Sequence, residues 1–231
     1  MFRHLPNILT GLRLVLAVVF FAMLSWYQYE GRGDPMFLNI AFVIYLVALI
    51  TDFLDGHLAR KYDLETPFGR VVDPFVDKVL VLGSFAFFAG KNFIIPDYAA
   101  MNPDNHYVVK TITGVAPFMV AILLARELLV TSLRGDAEGS GQQFGAQFSG
   151  KLKMVFQSAT ILIILAYVNY REWLDRHDWI HPATIFRDVC IWLTLLITVI
   201  SGLLYVQRAV TMYRARTTPK RLDTPTRTAK V

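Results

Sequence analysis

The stretch MFLNIAFVIYLVALITDFLDGHLAR, residues 36–60, is apolar almost without interruption as far as Ile50 and then turns acidic and basic. A helix needs about 20 mostly apolar residues to cross a hydrocarbon core of about 30 Å, because each residue advances it by about 1.5 Å. This stretch is long enough, and its charges gather at one end. Five other segments share its character, at 8–27, 67–90, 115–134, 152–170 and 183–208. The composition agrees: 55% of the 231 residues are hydrophobic and 18% are charged, with a mean hydropathy of +0.43. Soluble domains carry about 25% charged residues. Disordered, collagen-like and coiled-coil classes are excluded, and with Cys190 as the one cysteine so is a disulfide-stapled secreted domain. The expected fold is all-α, a polytopic membrane bundle of six transmembrane helices within residues 1–212. The basic segment 213–231 has no apolar period and reads as a disordered tail.

Six spans place both termini on one side of the membrane. Lys and Arg are denser on that side, around 60–70, 126–134, 151–153 and in the tail, so the termini are expected to be cytoplasmic. The first apolar run reads as a retained helix, since Arg13 interrupts it and no small-residue cleavage site follows. A net charge of +5 and a pI near 9.3 suit a bilayer surface. No basic stripe interleaved with aromatics is present, so nucleic acid is not an expected partner.

The chemistry concentrates in TDFLDGHLARKYDLETPFGRVVDPFVDK, residues 51–78. Asp52 and Asp55 are three apart near the end of the second span, and Asp73 and Asp77 are four apart at the start of the third. Each pair therefore lies on one helix face. Thr66-Pro67 and Asp73-Pro74 both resemble an N-cap followed by proline. The first choice leaves Phe68, Val71, Val72, Phe75, Val76 and Val79 as one helical stripe, so it marks the expected start, with Pro74 inside the helix. Four carboxylates at a membrane edge repel one another unless cations neutralise them. Oxygen ligands without His or Cys suit Mg²⁺, Mn²⁺ or Ca²⁺ rather than zinc. Four aspartates can hold two such ions about 3.5–4 Å apart, an arrangement that clamps a phosphoryl group during displacement. Gly56 and Gly69 permit close backbone approach, and Arg60 offers a phosphate a charged fork. The plainer possibility, that these acids only cap helices and pair with Arg60, Arg70 and Lys78, fits one Asp–Arg pair better than four acids so spaced.

The spacing Asp-x2-Asp-Gly-x2-Ala-Arg-x8-Gly-x3-Asp-x3-Asp, filled by Asp52, Asp55, Gly56, Ala59, Arg60, Gly69, Asp73 and Asp77, resembles the signature of the CDP-alcohol phosphatidyltransferases. The six-span layout resembles that family as well. The resemblance implies a metal-dependent exchange at a CDP-linked lipid, in which an alcohol displaces CMP. It implies two divalent cations, Mg²⁺ or Mn²⁺, held by Asp52, Asp55, Asp73 and Asp77. Asp77 would also be the catalytic base for the incoming hydroxyl. Gly56, Ala59, Arg60 and Gly69 would shape the nucleotide and diphosphate site. It further implies a cytoplasmic (inner) membrane location with the active site facing the cytoplasm. A homodimer is a family-level expectation.

The opening Pro6-Asn7-Ile8-Leu9-Thr10-Gly11-Leu12-Arg13, together with TPFGRVVDPFVDK, ARELLVTSLRG and GKLK, resembles the glycerophosphate branch of the family. That likeness implies CDP-diacylglycerol as donor and glycerol 3-phosphate as acceptor. Inositol, inositol phosphate or serine would use the same aspartates, and a cation transporter is a more distant alternative. An anionic acceptor needs further cations, and Arg126, Arg134, Lys151 and Lys153 supply them at the ends of spans four and five. Arg126 is the foremost of these, and Thr10 and Arg13 are candidates to line the same cavity. Cys190 lies in an apolar run far from the signature and reads as a packing residue.

Overall fold

The computed structural model describes residues 5–29, 33–62, 67–95, 110–139 and 148–217. The helices are α1 (Leu5–Trp26), α2 (Pro35–Tyr62), α3 (Pro67–Phe88), α4 (Pro117–Gly139), α5 (Phe148–Asn169), the short α6 (Arg171–Arg176) and α7 (Ile180–Thr217). Proline opens α2, α3 and α4, where its missing N–H costs nothing and its fixed φ suits the first turn. Before α2, Asp34 Oδ1 accepts the Met36 amide at 2.8 Å and caps the helix. α3 begins at Pro67 and carries Pro74 inside it, as the apolar stripe predicted. α7 continues through Thr217, past the boundary drawn at residue 212. Among the described residues no strand forms, and one antiparallel bridge pairs Ile94 with Thr111.

Among the described residues four helices contain stretches long and apolar enough to cross a membrane: Leu9–Trp26, Pro35–Asp52, Leu152–Asn169 and Ile180–Met212. Six were expected. Helices α3 and α4 have the length, at 22 and 23 residues, and fall short through their charges. Arg70, Asp73, Asp77 and Lys78 lie on α3, and Arg126, Glu127, Arg134 and Asp136 on α4. Those charges are also where the candidate site is built.

α1 packs on α2 and α3, α5 lies against α2 and α7, and α4 bridges α3 and α7. An aromatic core joins the first three helices, with Phe20, Tyr45, Phe85 and Phe88 almost fully buried and Phe21 stacked on Phe87 at 5.4 Å. The α5–α7 seam is polar: the Thr160 and Thr194 hydroxyls meet at 2.8 Å, the kind of link that joins helices where lipid supplies no hydrophobic drive. Trp26, Trp173 and Trp179 stand exposed near helix ends, consistent with interfacial anchoring.

One end of the bundle is tied by local polar contacts. Asn92 Nδ2 donates to the carbonyls of Leu24 and Ser25, both at 3.0 Å, and Asn169 Nδ2 donates to Asn39 Oδ1 at 2.7 Å. Buried Arg187 donates to the Ile112 carbonyl at 2.7 Å, beside Gly114, whose φ of +76° favours glycine. Asn39 and Asp52 lie on one helix about 20 Å apart along its axis, so the signature acids belong to the opposite end.

Gly83 on α3 leaves room for the Phe21 ring of α1: an added Cβ would stand 2.4 Å from Phe21 Cζ. Gly83→Val is expected to cost about 1–3 kcal/mol by overpacking. Gly11→Ala, where an added Cβ meets nothing within 4 Å inside a helix, should instead raise stability by about 0.5–1 kcal/mol. Thermal unfolding of the two variants in one detergent checks the contrast.

Candidate active site

Asp52 lies where the apolar run of α2 ends, and Asp73 and Asp77 lie one turn apart early in α3. The structure brings these three acids together through α1. Arg13 Nη1 donates to Asp52 Oδ1 at 2.7 Å and to Asp77 Oδ1 at 2.9 Å, and Thr10 Oγ1 donates to Asp73 Oδ1 at 2.5 Å. Arg13 is the largest fully buried side chain among the described residues, 1% exposed. A guanidinium so placed needs carboxylate partners, since an unpaired buried charge costs several kcal/mol. The Asp52 and Asp77 side chains remain about a quarter exposed, at 24% and 25%.

Asp55, Gly56, Ala59 and Arg60 fall on α2, and Gly69 on α3, but their side chains lie outside the described residues, as does that of Lys151 on α5. Among the described residues, no three His, Cys, Asp or Glu side chains form a metal-holding group. The donor chemistry nevertheless suits hard divalent cations. Every acid present offers oxygen, and the space between Asp52 and Asp77 already accommodates a cationic nitrogen. Of the histidines, His177 stacks on Trp173 at 4.3 Å beyond α6, at the other end of the bundle from the acids.

Beside Asp77 a cavity of about 160 Å³ opens, lined among others by Lys78, Glu127, Lys153 and Gln157. Lys78 Nζ donates to Thr131 Oγ1 at 2.7 Å, which ties α3 to α4. Glu127 Oε1 accepts from Arg126 Nη1 at 2.9 Å and from Lys153 Nζ. Two cations therefore share one carboxylate, and the cavity lining carries two lysines, Lys78 and Lys153, beside the carboxylates of Asp77 and Glu127.

Arg126 and Lys153 thus belong to one cluster, but in different places. Lys153 lines the cavity beside Asp77. Arg126 sits behind Glu127, its Nη2 donating to Ser201 Oγ at 2.7 Å and its guanidinium 5.7 Å from the Tyr205 ring centroid. Gly202 makes room for it, since an added Cβ there would stand 2.9 Å from Arg126 Cγ. Arg134 packs on the same ring and donates to the Tyr205 hydroxyl at 3.1 Å.

Sequence reasoning treated Lys78 only as a candidate partner for the acids, and it passed over Gln157 and Tyr205. Lys78 carried a usable signal, being a cation inside an apolar segment next to the last signature aspartate. Gln157 and Tyr205 carried none, since only the helix crossings put them here.

The chain matches the CDP-alcohol phosphatidyltransferase family over residues 3–200 and belongs to it. It is similar to the probable phosphatidylglycerophosphate synthase of Mycobacterium tuberculosis, 33% identical over 208 residues that cover 90% of this chain and 82% of that protein. It is also similar to the CDP-diacylglycerol–glycerol-3-phosphate 3-phosphatidyltransferases of two other bacteria. The Bacillus subtilis protein is 26% identical over 212 residues, covering 89% of this chain and 94% of the relative. The Rickettsia typhi protein is 28% identical over 213 residues, covering 91% and 99%.

The shared carboxylate makes a clear stability prediction. Glu127→Ala strands Arg126 and Lys153 without their common counter-charge and is expected to cost about 3–5 kcal/mol. Lys153→Met leaves the Arg126–Glu127 pair intact and should cost far less. Unfolding curves of both variants in detergent measure the difference.

Proposed function

We propose that this chain transfers the phosphatidyl group of CDP-diacylglycerol to glycerol 3-phosphate, giving phosphatidylglycerophosphate and CMP. The observation that carries the reading is the cavity that Asp77, Lys78 and Lys153 line together. It places a carboxylate base and two ammonium groups around one small volume, as an acceptor bearing both a hydroxyl and a phosphate requires. The names of the Bacillus subtilis and Rickettsia typhi relatives support the same donor and acceptor, and that of the Mycobacterium tuberculosis relative the same product.

In this reading Asp52, Asp55, Asp73 and Asp77 hold two divalent cations, Mg²⁺ or Mn²⁺. When bound, these would polarise the diphosphate and stabilise charge on the departing CMP. The acceptor hydroxyl attacks the phosphorus that carries the diacylglycerol. A new P–O bond forms, the P–O bond to CMP breaks, and the hydroxyl proton passes to Asp77. Lys153 and Lys78 hold the acceptor phosphate, and Glu127 with Arg126 fixes Lys153 in place. Arg60, Gly56, Ala59 and Gly69 form the diphosphate and nucleotide side. Arg134 and Lys151 extend the positive field at this end.

The bundle sits in the cytoplasmic membrane, with α3 and α4 completing six spans and their charges Asp77, Lys78, Arg126 and Glu127 engaged with neighbouring helices. The termini and the site face the cytoplasm, where a water-soluble acceptor and CMP exchange freely. The excess of Lys and Arg at this end supports that orientation.

The test is CMP release by purified protein with CDP-diacylglycerol and Mg²⁺ or Mn²⁺, with glycerol 3-phosphate, inositol, inositol phosphate and serine offered separately. Release with glycerol 3-phosphate alone, abolished by chelation and by Asp77→Asn, is the expected result. Release only with another alcohol would overturn the acceptor assignment. Lys153→Met is expected to raise the KM for glycerol 3-phosphate about tenfold or more, the worth of a charged hydrogen bond. The KM for CDP-diacylglycerol should hardly move.

A further inference from the structure

The signature residues occupy α2 and α3, yet three of its four acids are tied to α1. Thr10 and Arg13 stand one turn apart on one face of that helix, each 1% exposed. The Thr10 hydroxyl reaches Asp73, and a single Arg13 nitrogen reaches both Asp52 and Asp77. Carboxylates on separate helices repel, and without an opposing contact they would turn apart toward water. Arg13 draws two of them to one point, and its single charge leaves the trio net negative and still attractive to a dication. Thr10 orients the third without altering the charge.

We propose that α1 is a positioning element of the cation site, with Thr10 and Arg13 holding Asp73, Asp52 and Asp77 in register before any cation binds. This rests on the reading that those acids hold divalent cations. Neither residue is assigned a part in the reaction itself; both act through the carboxylates they touch. Hydrogen-bond partners of ligating groups fix ligand orientation, and losing one costs about 10–100-fold in metal affinity.

The experiment is Mn²⁺ binding to the purified full-length protein in detergent, without substrate, read from the electron paramagnetic resonance signal of free Mn²⁺. Thr10→Val keeps shape and charge but removes the hydroxyl, and it is expected to weaken binding at least tenfold, with Thr10→Ser restoring it to within twofold. Arg13→Lys keeps the charge but loses the planar fork, and should weaken binding comparably. Thermal unfolding of the same samples without Mn²⁺ shows that each variant is folded, and Thr10→Ala takes the place of Thr10→Val if valine is not tolerated. Folded variants that bind Mn²⁺ as tightly as the parent overturn the proposal and leave the cation site standing. A parent protein that takes up no Mn²⁺ overturns the cation-site reading, and this proposal with it.

Discussion

The pairing of buried Arg13 with Asp52 and Asp77 is the constraint around which this end of the bundle is organised. Three helices must meet for it to exist, since the arginine is on α1 and the acids are on α2 and α3. Removing Arg13 would leave two neighbouring carboxylates without their common counter-charge, which costs far more than the intact group gains. The packing of the first three helices and the geometry of the acids are therefore one requirement. The aromatic core of Phe20, Tyr45 and Phe85 and the close contact at Gly83 support the same crossing from the apolar side.

A second charged group mirrors the first with the signs reversed. Around Arg13, one cation serves two acids; around Glu127, one acid serves two cations. The first leaves an excess of negative charge and the second an excess of positive charge, with the cavity beside Asp77 between them. This polarity belongs to the arrangement and not to any one residue. A ligand with an anionic end and an ionisable hydroxyl would find both ends matched across a short distance.

Much of this was legible in the chain. The apolar runs located the six long helices to within a few residues except at the far end of α7, and Thr66-Pro67 marked the start of α3. The spacing of Asp52, Asp55, Asp73 and Asp77 identified the family that the comparison supports. The span count differs, six read from the chain against four long and apolar enough among the described residues, because α3 and α4 carry charges of the site in their apolar stretches. Contacts between distant residues were not legible. Ser201 meets Arg126 across 75 positions and Tyr205 meets Arg134 across 71, and no local pattern announces such a pairing. Thr10 and Arg13 were seen as candidates to line a cavity, but their acid partners could be assigned only once α1 was seen to cross both neighbours.

The order of the helices along the chain has a consequence for how the protein is made. α1 precedes α2 and α3, so Arg13 reaches the bilayer first, before Asp52 and then Asp77. As α3 leaves the translocation machinery, the cation that accommodates its acids is already waiting. The costliest charges of the site can thus be neutralised while α4, α5 and α7 are still to be synthesised. The pairing of Arg13 with Asp52 and Asp77 needs no residue from the later helices, so the first charged group is complete within the first three.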